Sequence, residues 1–257
     1  EMCIRDSKFC MTVRRPIGIV GLITPWNFPF AVPSWKLGPA LVAGNSVVYK
    51  PATLTPLCAA TFVRILEEAG LPPGVLNMVT GPAEEVGRAI VEHPGIRAVS
   101  FTGSVSSGKD VYKRAATGLK RVGLELGGKN PQIVMDDADI SLAVEGALFG
   151  AFGTAGQRCT ATSRLILHGA IYEEVMERLV SRTRDLKLGD PVDPAVDVGP
   201  VCGEDQEKKI LNYIEVGKKE GAKLITGGKK LTGTPFDKGF FIAPTIFEAR
   251  HGMRITK

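Results

Sequence analysis

From residue 17 onward the apolar positions alternate between two rhythms. Short runs rich in β-branched residues, at 17–23, 46–50, 75–79, 98–101 and 121–124, predict strands. Between them the spacing becomes that of helices, over 32–43, 56–69, 83–92 and 105–116, with Gly70, Pro94 and Gly118 as stops. Strand and helix units in such succession predict an α/β fold built on a parallel, Rossmann-like nucleotide-binding sheet. Past Gly127-Gly128 the rhythm loosens. A strand at 132–135, a helix at 140–149, a strand at 164–167 and a long amphipathic helix at 172–186 follow. A loop rich in Pro, Asp and Gly (188–203), a charged helix (204–220) and an apolar run (240–247) complete the pattern. The expected division is a leader and tail of an earlier element at 1–15, a nucleotide-binding domain at 16–126, and part of a second α/β domain at 127–257. Residues 1–7 join no recognisable element and the chain stops at Arg254-Ile-Thr-Lys257 without a turn or cap, so a fragment is expected.

Composition narrows the class. Of 257 residues, 44% are hydrophobic and 23% charged, enough for a sizeable core in one large or two smaller domains. The net charge of +5 comes from dispersed pairs such as Arg14-Arg15, Lys208-Lys209, Lys218-Lys219 and Lys229-Lys230. These are interleaved with acids and read as solvated helix faces, not as a nucleic-acid surface. Cys3, Cys10, Cys58, Cys159 and Cys202 are odd in number, widely spaced and without Cys-x-x-Cys, which points to a reducing, cytoplasmic setting. No apolar stretch reaches the ~18 residues of a membrane span, and no signal-peptide core is present, so a soluble protein without a membrane partner is expected. His93, His168 and His251 are too dispersed for a metal cluster or an obvious Cys-His dyad, and no metal is expected.

The chemistry-bearing residues sit in glycine-rich turns. Cys159 ends the run Phe152-Gly-Thr-Ala-Gly-Gln-Arg-Cys159, and Glu125 lies in Leu124-Glu-Leu-Gly-Gly-Lys129. A thiolate attacks carbonyl carbon, and the resulting thioester needs an activated water to clear it, so a Cys with a Glu supplies both halves of a covalent oxidation. Asn27, in Thr24-Pro-Trp-Asn-Phe-Pro29, offers an amide donor to an oxyanion. Glycines 150, 153 and 156 leave the backbone open around Cys159, and Arg158 stands ready to favour a thiolate. Plainer readings stand beside these: Asn27 as a turn residue, Glu125 as a surface carboxylate, Cys58 and Cys202 as small core residues. Neither Gly-x-Gly-x-x-Gly nor the Gly-x-x-x-x-Gly-Lys-Ser/Thr loop occurs. What remains for phosphate is Phe101-Thr-Gly-Ser-Val-Ser-Ser-Gly108, where Gly103 permits close backbone approach and Ser104 opens a helix. A serine-capped helix is also an ordinary structural feature. Lys50 ends a strand at the carboxyl edge, where open parallel sheets bind ligands, but it reads equally as a lysine leaving for solvent.

Taken together, Thr24-Pro-Trp-Asn-Phe-Pro29, Gly44-Asn-Ser-Val-Val-Tyr-Lys-Pro-Ala52, Phe101-Thr-Gly-Ser104, Glu125-Leu-Gly-Gly-Lys129 and Gly156-Gln-Arg-Cys159 resemble the aldehyde dehydrogenase superfamily in order and spacing. The resemblance runs from residue 13 to the end and covers the middle half or so of a full-length member. It implies an NAD(P)-dependent oxidation of a small-molecule aldehyde to an acid in the second, catalytic domain. Cys159 would attack the aldehyde, the Asn27 side chain and the Cys159 amide would hold the oxyanion, and Glu125 would activate water. Branches that pass the acyl group to coenzyme A typically lack this glutamate. The resemblance further implies Lys50 at the adenosine ribose, Gly103 and Ser104 at the pyrophosphate, Trp26 lining the site, and a homo-oligomeric parent protein. Thr53 stands where many NAD-preferring members carry a Glu on the ribose. Its lack of charge removes repulsion toward a 2'-phosphate, so NADP is expected at least as readily as NAD. Gly21-Leu-Ile-Thr-Pro-Trp26 and Gly156-Gln-Arg-Cys-Thr-Ala161 are similar to bacterial members acting on semialdehydes of small dicarboxylic acids, such as 2-oxoglutarate semialdehyde. The chain stops short of the family's Glu-Ile-Phe-Gly-Pro segment, so weak turnover by this chain alone is expected. The alternatives are a catalytically silent nucleotide-binding member and a coenzyme A acylating enzyme.

Overall fold

The computed structural model describes the backbone of residues 2–5 and 8–257 and the side chains of residues 9–257. The chain divides into two compact units, Glu1–Gly127 and Gly128–Lys257.

In the first unit, β1 (Met2–Arg5) and β2 (Lys8–Met11) form an antiparallel pair. The expectation that 1–7 join no element is therefore corrected for residues 2–5, and positions 1, 6 and 7 lie outside the described residues. Two strands of four residues are too short to announce themselves by periodicity. There follow β3 (Ile19–Ile23), α1 (Ala31–Val42), β4 (Ser46–Lys50), α2 (Pro56–Glu68) and β5 (Leu76–Met78). A π turn (Ala83–Gly87) leads into α3 (Arg88–Glu92), then β6 (Ile96–Gly103), α4 (Val105–Thr117) and β7 (Arg121–Leu126). The single helix expected over 83–92 is thus split, with Gly87, a poor helix former, at the junction.

The five strands are parallel in the order β5-β4-β3-β6-β7. From β3 the chain winds to one edge, then crosses back to lay β6 on the other side of β3. A doubly wound sheet of this kind opens its ligand crevice at the carboxyl ends of the two strands where the winding reverses, here β3 and β6. Both faces are covered, as a parallel sheet requires. Val20, Leu22, Val47 and Tyr49 pack with Leu37, Ala59 and Phe62 of α1 and α2. Val99 and Phe101 pack with Ile90 and Val91 of α3 and with Val111 and Ala115 of α4.

In the second unit, β8 (Asn130–Val134) runs parallel to β9 (Thr162–Leu167). Between them lies α5 (Ile140–Phe152), and after them α6 (Tyr172–Asp185). Val134, Val144, Leu148, Val175 and Leu179 join these elements in one core. Asp139 caps α5, its Oδ1 accepting from Leu142 N at 3.0 Å. After α7 (Glu204–Lys219), β10 (Lys223–Thr226) and β11 (Ile246–Glu248) pair antiparallel. The apolar run 240–247 yields strand only at its end, because Pro244 interrupts it. No helix among the described residues is long and apolar enough to cross a membrane.

Candidate active site

Register gathers most of the candidate residues of the first unit on one edge. Ile23 is aligned with Lys50 on one side and Phe101 on the other, and Thr102 with Glu125. The residues at and just beyond those strand ends are therefore Thr24–Asn27, Pro51–Thr53 and Gly103–Ser104. Thr24, 4% exposed, is tied inward by its N–H to the Lys50 carbonyl at 3.2 Å and lies 3.3 Å from the Tyr49 hydroxyl. Its two links fix where the chain leaves β3. Trp26 and Asn27 follow half-buried, and the Asn27 Oδ1 accepts from Phe28 N at 3.1 Å.

Lys50 is 3% exposed, which overturns its reading as a lysine leaving for solvent. Its ammonium donates to the Pro51 carbonyl at 3.2 Å, and burial holds it below the usual lysine value. Thr53 is exposed and donates to the Gly81 carbonyl at 3.4 Å. At Gly103 a Cβ would come within 2.6 Å of the Phe101 ring, so only glycine lets the backbone pass here without displacing a core aromatic. Ser104 caps α4, accepting from Ser107 N at 3.1 Å. The first turn of α4 holds no acidic residue, leaving its positive end uncompensated. Beside it, the buried Thr102 hydroxyl has no hydrogen-bond partner among the described residues.

Glu125 is exposed, on the same face of the sheet as Thr102. One neighbour escaped the sequence reading. Lys36, half-buried on α1, donates to Ser100 Oγ at 2.7 Å. Desolvation lowers its pKa, and the Glu125 carboxylate acts in the opposite direction. A lysine on an amphipathic helix reads as a solvated face, so only the fold reveals it.

Cys159 belongs to the second unit, and it is exposed. It follows a turn in which Thr154, Ala155 and Gly156 are all left-handed, with φ of 55°, 53° and 70°. Gly156 has no alternative, since a Cβ there would lie 2.8 Å from the Ala151 carbonyl. Neighbouring side chains hold the turn. Gln157 Oε1 accepts from Cys202 N at 2.9 Å. Asn130 Nδ2 donates to the carbonyls of Cys159 and Ala161 at 2.7 and 2.9 Å, another contact that sequence reading missed. Cys58 is exposed on α2 and Cys202 half-buried, so neither is the fully buried core residue expected. On α2 the inward positions are Ala59 and Phe62, one helical turn apart, which turns Cys58 to solvent. Cys3 lies outside the described side chains. His93 and His168 accept from Gly95 N and Ala170 N at 3.1 and 3.3 Å, and no group suited to a metal occurs among the described residues.

A doubly wound sheet with a charged carboxyl edge, and a cysteine on a left-handed turn, define the class. The chain belongs to the aldehyde dehydrogenase family, whose model matches residues 1–257. It is 49% identical to an alpha-ketoglutaric semialdehyde dehydrogenase of Bacillus subtilis (strain 168), over 92% of this chain and 49% of that protein. It is 52% identical to a 2,5-dioxopentanoate dehydrogenase of Saccharolobus solfataricus, over 92% of this chain and 49% of that protein. The solved aldehyde dehydrogenase of Bacillus cereus in its NAD+ complex matches with a TM-score of 0.91 and 43% identity, over 95% of this chain and 49% of that one. The chain spans about half the length of the curated relatives it matches.

Proposed function

We propose that this chain supplies the cofactor sheet and the nucleophile segment of an enzyme that oxidises an aldehyde to a carboxylic acid with NAD(P)+. The observation that carries the reading is the alignment of Lys50, Thr102, Gly103 and Glu125 along one sheet edge, beside the start of α4. The cofactor fits the residues present. The buried Thr102 hydroxyl lacks a partner, Lys50 holds a cation under the edge, and Gly103 leads into a helix start suited to a pyrophosphate. In this reading residues 16–126 bind the cofactor, with Ser104 and Gly103 at its phosphates, Lys50 and Thr53 at the adenosine ribose, and Trp26 at the wall. Residues 127–257 carry the nucleophile. When bound, the cofactor supplies the hydride acceptor that the oxidation requires.

The remaining steps belong to the chain. The Cys159 thiolate adds to the aldehyde carbon, forming the C–S bond and moving the carbonyl π pair onto oxygen. The Asn27 amide and the Cys159 N–H stabilise that oxyanion. Loss of hydride from the same carbon restores the carbonyl as a thioester. Glu125 takes a proton from water, whose oxygen adds to the thioester carbon; the C–S bond then breaks to release the acid and regenerate the Cys159 thiolate, and Glu125 gives its proton to solvent. Lys36, bonded to Ser100 and within the field of Glu125, places a basic group beside the water-activating carboxylate.

The names of the Bacillus and Saccharolobus relatives support a semialdehyde of a small dicarboxylic acid as substrate. Thr53, uncharged and exposed, supports acceptance of NADP alongside NAD. The test is NADH and NADPH formation with 2-oxoglutarate semialdehyde against betaine aldehyde, with Cys159→Ala as the blank. Signal in the blank would refute the thiol mechanism, and a thioester product on adding coenzyme A would refute hydrolysis. Silence with the semialdehyde, alongside retained binding of NAD+, would favour a silent nucleotide-binding member.

A further inference from the structure

The side chain immediately before Cys159 reaches back onto the end of α5. Phe149 and Gly150 belong to the last turn of α5, and the Phe149 carbonyl also accepts from the capping N–H of Gly153. Arg158 Nη2 donates to the Phe149 and Gly150 carbonyls, to the latter at 3.2 Å, and the guanidinium carbon lies 4.5 Å from the centroid of the Phe149 ring. A cation at a helix C-terminus and over an aromatic face is favourable on both counts. The fit leaves no slack, because a Cβ on Gly153 would lie 3.2 Å from Arg158 Nη2. Arg158 Nε is buried without an acceptor, so the contacts of Nη2 and the ring hold the side chain here despite an unmet donor.

Between the two ends of this clamp lies the left-handed turn at Thr154, Ala155 and Gly156, a conformation that L-residues avoid. The clamp closes that turn by tying residue 158 to residues 149 and 150. On its far side the Arg158 carbonyl accepts from Ala161 N at 3.2 Å. Because the peptide is trans, fixing this carbonyl also fixes the direction of the Cys159 N–H on the opposite side of the same plane.

We propose that Arg158 is a positioning residue, which closes the left-handed turn against the end of α5 and so sets the direction of the Cys159 N–H for oxyanion binding. The proposal rests on Cys159 being the nucleophile.

Two thiol reactions of the intact chain test it. With p-nitrophenyl acetate, Sγ bonds to the acyl carbon, an oxyanion forms and collapses, and p-nitrophenolate leaves. With iodoacetamide, Sγ displaces iodide and no oxyanion arises. Both are followed at Cys159 by peptide mass spectrometry, since Cys10, Cys58 and Cys202 are also free thiols. Arg158→Met is expected to slow acylation about 10- to 100-fold while changing alkylation less than about threefold, because only the former depends on the aimed N–H. Arg158→Lys, which keeps the charge over the ring but not the fork, should recover part of the acylation rate. Equal slowing of both reactions, or unchanged acylation in Arg158→Met, overturns the proposal. Undiminished p-nitrophenolate release by Cys159→Ala overturns instead the nucleophile reading beneath it.

Discussion

Asn130 offers a measurable link between the sheet of the second unit and the nucleophile loop. It opens β8 opposite Thr162 of β9, directly before Pro131, which has no N–H to give the ladder. Its Nδ2 spans the carbonyls of Cys159 and Ala161 at 2.7 and 2.9 Å. Each neutral bond contributes about 0.5–1.5 kcal/mol net, and partial exposure keeps the pair near the low end, about 1–2 kcal/mol together. Asn130→Ala should therefore raise the local opening equilibrium about 5- to 30-fold, read as faster hydrogen exchange over 159–162 with the α6 amides unchanged. Asn130→Asp is the sharper test. It is isosteric, but it replaces the donor with an acceptor facing two acceptors, so its exchange rate should exceed that of the alanine variant. If Asp proves equal to or milder than Ala, or if exchange over 159–162 is unaltered in both, Asn130 does not hold the loop.

Gly156→Ala should cost about 1–2 kcal/mol from the left-handed backbone alone, before the contact with the Ala151 carbonyl, and chemical unfolding of the second unit would show it. A cost within error of zero would mean that the turn can relax. Lys50 gives a pH dependence: burial lowers its folded-state value below the ordinary 10.5, so the unfolded chain binds more protons between the two values and stability rises with pH across that window. The unfolding free energy of the native chain should therefore gain on that of Lys50→Met as pH climbs toward 10.5, and parallel curves would contradict burial of a charged amine. Thr53→Glu should shift the NADP-to-NAD preference toward NAD by about tenfold, a modest factor because the position is exposed and screened. An unchanged ratio would remove Thr53 from cofactor choice.

The sheet was legible in the sequence because its strands are short, β-branched and separated by helices with clear stops, so two different periods never competed over the same residues. Legibility failed where local signals were weak. The π turn at Ala83–Gly87 has the helical pattern of an ordinary α-helix, and only the backbone separates them. β10 begins with an exposed lysine and lacks alternation long enough to mark a strand. At the site, motif residues such as Lys50, Gly103 and Glu125 were visible because they sit beside glycines and prolines that break the periodic pattern. Lys36 was not, because it lies inside a regular helix and its partner Ser100 is far away in the chain; Asn130 was missed, although it stands beside Pro131, because its partner Cys159 is also distant in sequence. Lys50 was visible but ambiguous, since whether a strand-ending lysine turns out or in depends on what covers it, a fact of packing.

Where the chain tolerates local cost is itself informative. Among the described residues three buried side-chain atoms lack a hydrogen-bond partner, on Thr102, Arg158 and Glu207, and two of these three residues adjoin candidate site residues. Glu207 is the exception, and its other oxygen is paired with Lys230 at 3.0 Å. Among the described residues the non-glycine left-handed ones are Leu119, Thr154 and Ala155, and two of them lie in the turn before Cys159. The buried amine of Lys50 adds a desolvation cost at the sheet edge. Each feature alone has a structural explanation, but a chain selected for stability alone would have no reason to collect them at the carboxyl edge of one unit and the cysteine turn of the other. Strain and unmet polarity persist where surrounding structure over-determines them, and such places cluster at ligand and catalytic sites. Leu119 supplies the control: relieving the cost there by Leu119→Gly should leave cofactor binding and Cys159 reactivity unchanged, whereas relieving it at Ala155 by Ala155→Gly should stabilise the turn backbone yet alter the Cys159 acylation rate. Equal silence at both positions would mean that the left-handed turn is an accident of the loop and not part of the site.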